Sequence, residues 1–378
     1  MINGTVHAFA PGRIEVAGNH TDHQGGATIS AAVDKGISMT LRATDDGHGL
    51  IESAGFGTTR IDLSDLAPHT DEAHTTAALA RGVIAGLRGA DVHVTGFAAQ
   101  VASDLAPGGG LSSSAAFELA LAKGLDALFG SGTLDPDTLA HIAQRAEVEW
   151  FSKPCGLQDQ TAIAHGGILA LDFIDADRPT VTPICFDFAA HGLAVCLVDT
   201  GSDHAQATDD FAQLVGDMTA CAAAFGATRL CEVDDADLLA RIPELRRSLG
   251  DRAALRALHW VRESHLVRHR IEALRAGDVD AFLRDTRASA ASSAQFLQNI
   301  TPTGSQEQPA MVALALAEAA LDGRGAVRIH GGGFGGTLIA FVPADLLDGF
   351  TASLDRWLFP GCCQMVEVSQ EGVRASWT

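Results

Sequence analysis

The chain has 378 residues, long enough for two substantial domains, and 47% of them are hydrophobic, enough for a proper core. A formal net charge of −21 argues against nucleic acid or an anionic membrane as partner. It leaves a nucleotide open, because one local basic group together with Mg²⁺ overrides the global field. The seven cysteines, scattered apart from the adjacent Cys362 and Cys363, form no C-x-x-C pair, and no apolar stretch approaches the ~18 residues of a membrane span, so a soluble, cytoplasmic protein with reduced thiols is expected.

Residues 5–8 predict a short strand that leads into APGRIEVAGNHTDHQGG, residues 10–26. Arg13, Glu15, Asn19, His20, Asp22 and His23 crowd this segment between glycines. A plain surface loop explains such a cluster, and so does a binding site. The spacing of His20, Asp22 and His23 matches no zinc pattern. Residues 28–33 and 37–42 predict strands with Asp34-Lys35-Gly36 as the turn between them. Residues 75–87 predict a helix, and Val92, Val94, Phe97 and Val101 predict strands running into the next segment.

That segment, APGGGLSSSAAFE at residues 106–118, organises the rest of the chain. Gly108, Gly109 and Gly110 allow positive φ and close approach of a ligand, and Leu111, Ser112, Ser113 and Ser114 follow. Phe117, Leu121, Leu125 and Leu128 then lie on one helical face. A glycine turn opening into a helix directs unpaired N–H groups and the positive dipole end outward, which suits an anion such as phosphate. A glycine-rich linker with a serine cap is the plainer reading. The loop is no Walker motif: the only lysines are Lys35, Lys123 and Lys153.

Asp135-Pro136-Asp137 starts another helix, on which Glu147 and Glu149 flank the apolar stripe on opposite sides. Periodicity does not say which of them faces a site. In KPCGLQDQ, Pro154 and Gly156 break the helix, and Asp159 either caps the next one or does chemistry. Strands are expected at 168–173 and 193–198, with a domain boundary near 190. The second half reads as helices at 209–225, 251–276, 278–296 and 308–321, with Arg252, Arg256, Arg262, Arg268 and Arg270 as a solvated face. Strands at 326–329 and 338–342 enclose His330 and GGGFGG.

Three ordered segments, APGRIEVAGNHTDHQGG, APGGGLSSSAAFE and VRIHGGGFGGTLIAFV, resemble the motifs of the GHMP kinases, and the first is similar to the galactokinase signature. The resemblance implies an α+β, two-domain GHMP kinase fold: a ribosomal protein S5 domain 2-like N-terminal domain (1–190) and an α/β C-terminal domain (191–378). It implies ATP and a monosaccharide as ligands, Mg²⁺ as cofactor, and a monomer or weak dimer. By resemblance, Asp159 lies beside the anomeric hydroxyl with Arg13 next to it, and residues 108–114 cradle the triphosphate. Ser113 and Glu147, chosen over Glu149 only by alignment, hold Mg²⁺. Arg13, Asn19, His20, Asp22, Gly156, Asp159 and Gly333 surround the sugar, Gly333 from the glycine motif at 332–335. The chain departs from the galactokinase pattern at Asn19, where a glutamate is usual, at His23, where a tyrosine is common, and in having no tyrosine at all. These departures predict tolerance of changes at carbon 6 of the sugar. A sibling kinase of another alcohol and a catalytically silent sugar sensor are the competing readings, and retention of Arg13, Asp159 and the loop serines favours catalysis.

Overall fold

Alternating apolar residues in the first 44 positions build two long strands, β1 (Val6–Ala17) and β2 (Ala27–Thr44), antiparallel and buried over most of their length. The computed structural model describes residues 4–105, 109–202 and 208–378. β3 (His48–Ser53), β4 (Gly57–Asp62), β5 (Gly96–Ser103), β6 (Ile168–Asp172) and β7 (Thr180–Ile184) extend this sheet. A second sheet holds β8 (Leu193–Ser202), β9 (Ala326–Ile329), β10 (Gly336–Pro343) and β11 (Cys363–Val366). The last strand, β12 (Arg374–Trp377), returns to the first sheet beside β1. The orders are β12-β1-β2-β5-β3-β4, with β6 and β7 branching from β2, and β11-β8-β10-β9.

The expected turn at Asp34-Lys35-Gly36 does not form. β2 runs through it as a bulge between the Pro11–Gly36 and Arg13–Ala32 pairs. The Asp34 N–H donates to Glu367 O at 2.9 Å, so a distant segment supplies the partner a hairpin would have lacked.

Helices α1 (Thr76–Gly89), α2 (Ser113–Phe129), α3 (Pro136–Arg145) and α4 (Gln158–His165) belong with the first sheet, and α2 packs on β1 and β2. Thr75 caps α1 by accepting the Ala78 N–H, and Asp135 caps α3 by accepting that of Thr138, with Pro136 at the first position. The second half carries α5 (Thr208–Ala223), α6 (Asp235–Ala240), α7 (Ile242–Leu249) and α8 (Asp251–Ala276), which share a hydrophobic cluster of their own, and α9 (Val279–Ser292), α10 (Pro309–Leu321) and α11 (Leu347–Trp357), which pack on the second sheet. One hydrophobic cluster runs through both halves, joining Ile14, Leu41 and Leu121 to Leu197, Phe282 and Phe341.

The solvated arginine face expected on α8 is only half correct. Arg262 and Arg268 are exposed, but Arg256 and Arg270 are buried, Arg256 Nη1 at 2.7 Å from Asp217 Oδ2 and Arg270 paired with Glu263. Their charges are tolerated inside because each has a carboxylate partner.

Candidate active site

Arg13 and Asp159 are far apart in sequence and meet because β1 passes the start of α4. Pro154 and Gly156 end the preceding helical turn, so α4 begins at Gln158 and Asp159 falls in its first turn, where the helix dipole favours a carboxylate. Arg13 Nε and Nη2 donate to the two Asp159 oxygens at 2.6 and 3.0 Å, and Nη1 donates to Gly110 O at 2.6 Å. The Ser112 hydroxyl also donates to Asp159 Oδ2. Burial works against the charged Asp159, but the Arg13 charge and the hydrogen bonds of Arg13 and Ser112 outweigh it and hold the carboxyl below its usual range.

Gly108 lies outside the described residues. Gly109 and Gly110 stand at the start of the serine loop, and Arg13 N–H donates to Leu111 O at 3.1 Å, tying the loop to β1. Gly110 has φ +73, and a Cβ there would strike Thr337 Oγ1 and come within 3.0 Å of His330 Nδ1. The second sheet therefore presses directly on the loop backbone. Ser112 takes a left-handed conformation and gives its hydroxyl to Asp159 instead of capping α2.

Ser114, not Ser113, reaches Glu147: its hydroxyl donates to Glu147 Oε1 at 2.9 Å, while Ser113 is exposed. A π-helical turn, Ala146–Trp150, carries α3 onward and turns Glu147 inward. Glu149 faces outward and pairs with Arg145 at 3.0 Å. Glu147 also receives Lys153 Nζ at 2.7 Å on Oε1, and Gln160 Nε2 at 2.8 Å and the Cys155 thiol at 3.4 Å on Oε2. Burial and the charge of Glu147 raise the Cys155 thiol, so it stays a neutral donor. Beside this hub, Glu118 is fully buried, and among the described residues neither of its oxygens has a partner. Burial, then the charge of Glu147, pushes its carboxyl well above the usual range.

The loop of His20, Asp22 and His23 lies across the same site. A Cβ on Gly156 would sit 3.2 Å from Asp22 Oδ2, which brings the two together. Burial, and in smaller part the charge of Asp159, raises the Asp22 carboxyl, although His20 pulls the other way. His20 Nε2 bonds Gly332 O at 2.8 Å, which requires the proton on Nε2. Burial, then His20 and His259, depresses His23 to about 3, so its ring is neutral.

Asn19, expected beside the sugar, is completely buried. Its Nδ2 donates to Gly331 O at 2.6 Å, and its Oδ1 accepts from Ser293 Oγ at 3.1 Å and Asn299 Nδ2 at 2.9 Å. Gly333, with φ +80, packs so tightly on Asn299 that a Cβ would come within 2.6 Å of Nδ2. His259 completes this joint by bonding Asn19 O at 2.9 Å.

Sequence reading missed the residues that lock the halves together. Arg328 is fully buried and donates to Glu15 Oε1 at 2.9 Å, and His330 Nε2 accepts the Glu15 N–H at 2.9 Å. Burial, then the charges of Arg13 and Arg328, keeps His330 neutral. Their one sequence signal is position, flanking the last glycine motif. Lys153 was visible only as one of three lysines and as part of KPCGLQDQ.

Comparison with known proteins bears on the family and the fold. The family profile of the GHMP kinases N terminal domain matches residues 76–167, and that of the galactokinase galactose-binding signature matches residues 3–43. The galactokinase of Streptomyces coelicolor is 33% identical over 356 residues, covering 92% of this chain and 87% of that protein. The galactokinase of Mycobacterium tuberculosis is 33% identical over 342 residues, 90% of each chain. The crystal structure of Lactococcus lactis galactokinase complexed with galactose superposes with a TM-score of 0.84 at 22% identity, covering 99% of this chain and 95% of that one. The crystal structure of L. major mevalonate kinase in complex with R-mevalonate shares the fold at a TM-score of 0.67 and 15% identity over 96% of each chain. With its α+β fold, its two signature segments and a third of its residues shared across nine-tenths of its length, the chain belongs to the galactokinase family of GHMP kinases.

Proposed function

We propose that this protein is an ATP-dependent sugar 1-kinase that transfers the γ-phosphoryl group to the anomeric hydroxyl of a galactose-like monosaccharide. The observation that carries this reading is the two-pronged Arg13–Asp159 pair set against the serine loop, with Ser112 bonded to the same carboxylate. In the proposed reaction the anomeric oxygen bonds to the γ-phosphorus while the bond to the bridging oxygen breaks, and ADP leaves. Asp159 orients the hydroxyl and takes its proton late, since a loose transition state needs little early proton removal. Arg13 stabilises charge developing on the transferred group. The N-terminus of α2 and Gly108, Gly109, Gly110, Leu111, Ser112, Ser113 and Ser114 are proposed to hold the phosphates. His20, Asp22, Gly156 and Gly333 are proposed to border the sugar, between the domains 1–190 and 191–378.

Ser113 and Glu147 do not fit a protein-held Mg²⁺ as they are arranged. Four protein donors already surround Glu147, one of them an ammonium, and the hydroxyl bonded to it is that of Ser114. Mg²⁺ is therefore proposed as the ion that travels on the phosphate oxygens of ATP.

Asn19 is proposed as a strut behind the sugar site. Its neutral amide is fully engaged, and the chain has no tyrosine, so the far end of the sugar lacks the usual carboxylate and phenol. The test is a coupled ADP assay with purified protein, ATP, Mg²⁺ and a panel of galactose, 6-deoxygalactose, galacturonate and unrelated sugars. ADP release with galactose and its 6-deoxy analogue is expected. No turnover with any sugar removes the kinase reading, and strict preference for galactose removes the tolerance at carbon 6.

A further inference from the structure

The cations of the site are unequally free. Arg13 has three of its five N–H groups committed, two to Asp159 and one to Gly110 O, and its side chain is only 11% exposed. Lys153 is different. Among the described residues its ammonium has one hydrogen-bond acceptor, Glu147 Oε1 at 2.7 Å, and its side chain is 54% exposed. Two of its three N–H donors thus remain open on the solvent side.

The position of that ammonium is fixed from several directions. The Lys153 N–H donates to Glu147 O at 3.1 Å, and Pro154 stiffens the backbone that follows. Glu147 is itself held by Gln160 from α4 and by Ser114 from the first turn of α2. The ammonium therefore stands between the helix end proposed for phosphate and the start of the helix that carries Asp159. Burial disfavours its charge, but Glu147 outweighs this and keeps its pKa above the usual lysine value. A triphosphate placed here meets the carboxylates of Asp22, Glu147 and Asp159, and needs a cation that is not already consumed.

We propose that Lys153 is a phosphate-contacting catalytic residue: braced on Glu147, it donates to the terminal phosphate of the bound nucleotide, in the place where the family resemblance puts a protein-held metal. This rests on the kinase reading above. Glu147 then serves as the brace of a lysine rather than as a metal ligand, and a divalent ion reaching Glu147 has to displace an ammonium at hydrogen-bond distance. A lysine from the segment before α4 thus does what a Walker loop assigns to a lysine within the loop itself.

The test compares wild type with Lys153→Met and Lys153→Arg. Binding of ADP and of a non-hydrolysable ATP analogue is measured by calorimetry, turnover by the coupled assay, and Mn²⁺ binding to nucleotide-free protein by electron paramagnetic resonance. Lys153→Met is expected to lower kcat about 100-fold with little change in sugar KM, a loss of the size seen on removing one charge-stabilising donor. It is also expected to weaken the triphosphate analogue about tenfold while leaving ADP binding unchanged. Lys153→Arg recovers part of both losses. Nucleotide-free wild type is expected to bind no Mn²⁺. Equal losses for ADP and the analogue, kcat within threefold of wild type, or a wild-type Mn²⁺ site that Glu147→Gln abolishes would each overturn the proposal. If no sugar is phosphorylated by wild type, the kinase reading fails, while the Mn²⁺ and nucleotide measurements still judge Lys153.

Discussion

Replacing Asn19 separates two roles that the same position can play. Its side chain is fully buried and joins β1 to the second half of the chain through Gly331, Ser293 and Asn299. Asn19→Ala leaves Gly331 O and Ser293 Oγ without that partner, whereas Asn299 Nδ2 keeps Gly332 O at 3.1 Å. At about 1–3 kcal/mol for each of these two buried polar groups left unpaired, the expected loss is about 2–6 kcal/mol. Asn19→Asp keeps the shape but turns a donor into an acceptor facing Gly331 O, near Glu15 Oε1, which lies 3.4 Å from Asn19 Nδ2. A buried, uncompensated charge costs about 3–5 kcal/mol, so this variant is expected to be at least as unstable as the alanine. Urea unfolding followed by tryptophan fluorescence, set beside the sugar KM of whichever variants fold, reads both effects. Stabilities within about 1 kcal/mol of wild type, together with a raised sugar KM, would refute the strut and make Asn19 a sugar contact.

Two further outcomes follow from the site. Asp159→Asn is expected to lower turnover by at least about 100-fold while nucleotide binding persists, and calorimetry with the ATP analogue beside the coupled assay checks it; retained turnover removes the role given to Asp159. Acid stability reports on His23, His259 and His330, which are all held neutral by burial, His23 down to about 3. Below the ordinary histidine pKa of about 6.5 the unfolded chain takes up protons that the folded chain refuses. Stability is thus complete above that pH and falls as the pH drops below it, by roughly 1.4 kcal/mol per pH unit for each histidine once the unfolded form is fully protonated. The raised carboxyls of Asp22 and Glu118 work in the opposite direction, so the His330 contribution is read as the difference between variant and wild type over the window of about pH 6.5 to 5. Urea midpoints across that window should fall less steeply for His330→Gln than for wild type; parallel slopes would remove His330 from the account.

Much of the fold was legible because local rules and the final structure agree. Thr75 and Asp135 stand where helix caps belong, and the helix expected at 251–276 is α8, Asp251–Ala276. The helices α6, α7 and α11 were not anticipated, and α6 and α7 are only 6 and 8 residues long, too short to show a clear period. Strand β1 continues well past the expected residue 8 through a segment that reads as a glycine loop, because pairing with β2 overrides local turn preference.

The sequence by itself determined the family, the three motifs and the identity of the residues able to do chemistry, since these depend on residue type and order along the chain. Only tertiary structure decided which of them are free to act. Glu147 turns inward and Glu149 outward through a π-turn that periodicity does not encode. Asn19 is consumed by groups some 274 to 312 positions away, and Arg256 and Arg270 are drawn inside by Asp217 and Glu263. A polar side chain in the interior takes its role from the partners that surround it, and those partners are set by packing between distant segments.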